Sequence, residues 1–136
     1  MLKDFDLASV QVTAPYFVNA FEKVTQYLLS LDPDRLLAGF RAVSEGKDPG
    51  TEKGLGLYGG WEDSWSLLRG HTMGHYLTAL AQAYRQTRKN NQELNERLAE
   101  RINYTVSQLK ACQDRSPGGY LFASPETHFD VVEGKS

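Results

Sequence analysis

The 136-residue sequence predicts an all-α chain, an incomplete segment of a helical barrel built from helical hairpins. Three observations carry that prediction. Segments near residues 15–31 and 33–40 repeat apolar residues at helical spacing. The stretch Ser64–Arg88 is apolar or small around almost its whole circumference, so it needs neighbours on several sides. It is followed by Asn91–Gln113, which has one apolar stripe and an otherwise charged surface. A buried inner helix followed by an amphipathic outer one is the repeating unit of a barrel or toroid, and such units bury their faces only against one another. One unit does not close a ring. The expectation is therefore a single partial domain over residues 1–136.

The elements follow in order. Phe5, Leu7, Val10 and Val12 alternate loosely, which predicts a short extended lead-in. Thr13-Ala14-Pro15 reads as a helix start with Thr13 as the cap, and Phe17, Phe21, Val24 and Leu28 form the stripe. Asp32-Pro33-Asp34 ends that helix and starts the next, with Asp32 as cap and Leu36, Leu37 and Phe40 facing inward. Residues 44–60 contain six glycines and no helical period, a long loop of the kind that carries function. Within Ser64–Arg88, Gly70 and Gly74 each cost about 1 kcal/mol relative to alanine, which predicts close approach by another backbone or a ligand. Leu94, Leu98, Ile102, Val106 and Leu109 make the stripe of the last long helix, and Ser116-Pro117-Gly118-Gly119 stops it. Tyr120–Ala123 reads as extended, and no periodic signal follows.

Composition narrows the function classes. A formal net charge of −2 without a dense basic patch gives no reason to expect nucleic acid or an anionic membrane as partner. No apolar run reaches the ~18 residues of a membrane span. The first residues, Met1-Leu2-Lys3-Asp4-Phe5-Asp6, lack a signal core, so the chain as written is expected in the cytoplasm. Cys112 is the single cysteine, which excludes an intramolecular disulfide. On the apolar side of an outer helix it reads as a small buried hydrophobe.

Chemistry concentrates in Tyr58-Gly59-Gly60-Trp61-Glu62 and Arg69-Gly70-His71-Thr72-Met73-Gly74-His75-Tyr76-Leu77. His71 and His75 are four apart and share a helix face. Three roles suit such a pair: two zinc ligands, two satisfied core residues, or two polar contacts to a sugar. The zinc reading lacks the glutamate that follows the first histidine in metalloproteases, because Thr72 stands there. The sugar reading fits the surroundings best, since Trp61, Tyr58 and Tyr76 offer ring faces beside the imidazoles. The adjacent acids Glu62 and Asp63 invite a paired-carboxylate reading of the glycosidase type, but neighbours in sequence usually point apart; Asp63 is expected to cap the helix, and Glu62 is left open. Substrate-binding candidates are therefore His71, His75, Trp61 and Glu62, with no catalytic or metal-ligating residue assigned.

In order along the chain, Leu31-Asp32-Pro33-Asp34-Arg35-Leu36-Leu37, the two motifs above, and Cys112-Gln113 with Gly118-Gly119-Tyr120-Leu121 resemble the N-terminal region of the β-L-arabinofuranosidases, glycoside hydrolase family 127 and its relative, family 146. The resemblance spans Phe5 to Glu133. It implies an (α/α)6 barrel, an L-arabinofuranose-containing saccharide as substrate, and a retaining mechanism with a zinc-bound cysteine nucleophile and a glutamate acid/base. In that family those groups come from later in the barrel, so the resemblance implies an N-terminal piece without nucleophile, acid/base or zinc ligands. Cys112 lies in a different motif with no neighbouring cysteines. The other reading is a small helical module that binds a partner or forms a homo-oligomer through exposed barrel faces.

Overall fold

Proline opens the first two helices, where its missing N–H costs nothing and its fixed φ suits the helix. In the computed structural model, which describes residues 3–135, these are α1 (Pro15–Ser30) and α2 (Pro33–Ser44). Then come α3 (His71–Thr87), α4 (Gln92–Arg115) and the short α5 (Thr127–Val132). No strand occurs among the described residues, in keeping with the all-α expectation. None of the described helices is long and apolar enough to cross a membrane. Met1 and Leu2 of the N-terminal stretch read above, and Ser136, lie outside the described residues.

The chain forms two compact units. One contains the residues up to Leu31 together with Tyr76–Tyr104. Its buried side chains are Thr25, Leu28, Tyr76, Leu80, Ala83, Thr87 and Leu98. Two of these are polar, and both are satisfied within their own helix. Thr25 donates to the Phe21 carbonyl and Thr87 to that of Ala83, four residues back in each case. Arg101 closes the end of α1 by donating to the carbonyls of Leu29 and Leu31. In the lead-in, a single 3₁₀ turn at Leu7–Ser9 interrupts the extended backbone because Asp6 caps it. Arg85 grips the Asp6 carboxylate with two N–H groups, and Gln86 donates to the Val10 carbonyl.

The other unit contains Asp32–His75 and the residues from Thr105 onward. Leu36, Leu37, Phe40, Met73, Thr105, Leu109, Cys112 and Ala123 are buried there. Asp32 caps α2 as expected, through Asp34 N–H at 2.9 Å. The long loop is tied to α2 by Arg35, whose guanidinium donates to the carbonyls of Gly56 and Leu57 at 2.9 Å and lies 4.0 Å over the Tyr58 ring. Ala123 fills the space beside two glycines: a Cβ built on Gly39 would stand 3.0 Å from its methyl, and one on Gly70 2.7 Å.

Four local expectations are corrected. Thr13 does not cap α1; Ala14 occupies that position, without a side-chain hydrogen bond. The helix read as starting at Ser64 starts at His71, because Gly70 has φ +91° and residues 64–70 turn instead. On α3 one face is buried while His71, Gly74, His75 and Ala81 are exposed, so the helix is not enclosed on all sides within this chain. On α4 the buried line passes through Thr105, with Val106 about half exposed. The short α5 near the end carries no periodic signal that would have announced it.

Candidate functional site

Arg69 organises the turn that places the candidate residues. It is 4% exposed, and its guanidinium donates to the carbonyls of Asp63, Ser64, Ser66 and Ala123 and to the Ser124 hydroxyl. A single planar cation with five donors can hold a turn and a distant segment at once, which lysine cannot do. The Asp48 carboxylate stands 4.0 Å away on its rim. The sequence places Arg69 within the chemical motif but assigns it no role; an arginine inside an otherwise apolar stretch is the signal that marks it.

The same turn brings Glu62 back over the start of α3. Its carboxylate is 5% exposed and accepts from the backbone N–H groups of Gly70, at 2.7 Å, and Thr72, at 2.8 Å. Those are two of the donors that a helix start leaves without partners, and the negative charge sits at the positive end of the helix dipole. Glu62, and not Asp63, is the cap. Asp63 turns its carboxylate to the N–H and hydroxyl of Ser64.

With α3 anchored there, its first turn presents His71 and His75 to solvent. Their Nε2 atoms are 3.0 Å apart, one donating to the other, and their rings meet edge to face with centroids 4.6 Å apart. Trp61, next to the capping glutamate, has its ring centroid 6.0 Å from that of His71 and is 62% exposed. Gly74 leaves room beside the pair, since a Cβ there would meet nothing within 4 Å. Close approach is therefore found at Gly70, made by the side chains of Ala123 and Phe40 and not by another backbone, and is absent at Gly74.

The four candidates come together, but two of the expected ring faces do not. Tyr76 is 2% exposed and belongs to the core. Tyr58 carries Arg35 over its ring and accepts a hydrogen bond from Asp32 N–H at 2.8 Å. Tyr120 likewise turns inward and donates its hydroxyl to the Ser124 carbonyl at 2.8 Å; burial raises its pKa. The exposed surface is thus one indole and two imidazoles above a buried carboxylate, a flat apolar ring beside groups that both donate and accept.

No cluster of three or more histidine, cysteine or acidic side chains that could hold a metal ion occurs among the described residues, and Cys112 is buried and single. The described residues therefore do not fit the cysteine–glutamate zinc centre that the resemblance implies. Compared with known protein families, residues 9–136 match the model of the β-L-arabinofuranosidase GH127 catalytic domain. No curated protein and no solved structure matches the chain.

Proposed function

Because this chain belongs to the GH127 β-L-arabinofuranosidase catalytic-domain family, we propose that it forms part of the sugar-binding wall of a glycoside hydrolase acting on L-arabinofuranosides. The observation that carries this reading is the exposed cluster of Trp61, His71 and His75. Furanose rings present a weakly polar C–H face and closely spaced hydroxyls. An indole covers the first, while the paired imidazoles, exchanging their mutual Nε2 hydrogen bond for contacts to the sugar, supply one donor and one acceptor to the second. Glu62 serves the site indirectly: both carboxylate oxygens are committed to α3, so it fixes the imidazoles instead of touching sugar.

In this reading the bond-breaking groups are not among residues 3–135. Retaining glycosidases need two reactive groups about 5–5.5 Å apart across the bond. Glu62 is engaged in capping and Cys112 is buried, so neither is free to serve. The 136-residue chain is expected to release no arabinose from a chromogenic L-arabinofuranoside, with or without added zinc, yet to bind the sugar weakly with a change in tryptophan fluorescence. His71→Ala or His75→Ala should remove that change. Turnover above a buffer blank that is abolished by a substitution within this chain would overturn the reading.

A further inference from the structure

The His71–His75 pair also has the geometry of a chelate. Borderline cations bind imidazole nitrogen at about 2.0–2.1 Å. Two bonds of that length to nitrogens 3.0 Å apart enclose an angle of about 90°. That is the cis angle of tetragonal coordination, which Cu(II) and Ni(II) prefer, and is tighter than the tetrahedral angle of structural zinc sites. Spacing of four on a helix already brings the nitrogens together, and chelation then needs the donating ring to move its Nε2 proton to Nδ1 and both rings to turn their Nε2 lone pairs toward the cation. The remaining coordination positions are open to water, because both rings are exposed and a Cβ at Gly74 would meet nothing within 4 Å.

The start of a helix ordinarily opposes a cation, since its N–H groups carry a partial positive charge. Here the Glu62 carboxylate lies on the N–H groups of Gly70 and Thr72 and offsets that charge from beneath. We infer that His71 and His75 form a bidentate site for a divalent cation of the Cu(II) or Ni(II) type. The cation takes the same nitrogens as the sugar, so each excludes the other. Metal binding follows from the nitrogen geometry alone, whereas the mutual exclusion rests on the sugar-binding role proposed above.

Copper itself is the probe. The chelator-treated, untagged chain is titrated with Cu²⁺ while fluorescence and electron paramagnetic resonance are followed. Trp61 lies 6.0 Å from the His71 ring, so paramagnetic copper in the site quenches it. The expected result is saturable quenching at one equivalent and a copper spectrum with coupling to two nitrogens. Chelation makes the second bond intramolecular, so His71→Ala or His75→Ala should weaken binding by about 10²-fold. Circular dichroism checks that these exposed substitutions keep the helices. Trp61→Phe should lose most of the quenching while the spectrum stays, because the Trp61 ring is the one that lies beside His71. Copper binding that survives the double substitution, carried by His128 or the amino terminus, overturns the site. Adding methyl β-L-arabinofuranoside should displace copper. If copper needs both histidines yet ignores the sugar, the exclusion fails and the sugar reading with it, while the metal site stands.

Discussion

Replacing Glu62 by alanine removes the acceptor from two N–H groups at the start of α3. Each buried donor left without a partner costs about 1–3 kcal/mol, so Glu62→Ala should lower unfolding stability by about 2–4 kcal/mol in a denaturant titration. Glu62→Gln keeps one acceptor and should lose less. The two glycines of the next motif make an opposed pair. Gly70 combines φ +91° with a space already filled by Ala123, so Gly70→Ala should cost about 2–5 kcal/mol. Gly74 lies inside the helix with open space around it, and Gly74→Ala should stabilise by about 0.5–1 kcal/mol. Opposite signs in the same denaturation series distinguish conformational from packing effects. Sequence alone brought Trp61, Glu62, His71 and His75 into one neighbourhood but did not decide between the two adjacent acids. Deciding needs the path of residues 64–70, and an apolar pattern there imitates a helix that a glycine at positive φ in fact prevents.

The long loop owes its position to one side chain of α2. Arg35 supplies two carbonyl contacts and the stacking over Tyr58, a combination that lysine cannot reproduce. Arg35→Ala should leave the helices intact by circular dichroism and speed limited proteolysis within residues 45–59. The lead-in depends on charge in a different way. The Arg85 guanidinium holds the Asp6 carboxyl below the usual carboxylate range. A lowered folded value means the anchoring is present above the unfolded pKa of about 3.9 and fades as pH falls through the lowered one. Amide exchange of residues 7–10 should therefore accelerate only in strong acid, and Asp6→Asn should produce the same acceleration at neutral pH. Helix α2 was legible in full because cap, proline and apolar spacing agree at Asp32, Pro33 and Leu36. On α4 the expected stripe missed Thr105, since hydropathy counts a threonine as polar while a folded helix buries its hydroxyl once a partner satisfies it.

At the scale of the whole chain, a net charge of −2 supplies little repulsion between copies, while several large apolar side chains stand in water. On α1, Phe17 is 59% exposed, Val24 55% and Tyr27 63%. Together with Val12, Phe21, Leu28, Ala83 and Leu94, Phe17 and Val24 line a cavity of about 670 Å³ within the first unit. Phe17, Phe21, Val24 and Leu28 are the stripe that helical spacing marked on α1, yet of these only Leu28 is buried. A contiguous apolar groove of this kind marks a surface that associates. The chain is therefore expected to self-associate, with a mass in light scattering that rises with concentration. Covering one such side chain contributes about 1.5–3 kcal/mol, so Phe17→Ser combined with Val24→Ser should weaken association by well over tenfold without reducing helix content. A mass that stays monomeric at every concentration would remove self-association through this groove from the functions open to the chain. A mass that rises equally in the double variant would move the contact elsewhere on the surface. The copper and sugar titrations can be run on that same variant, because Phe17 and Val24 belong to one unit and the histidine pair to the other. Association and ligand binding are then separable by substitution.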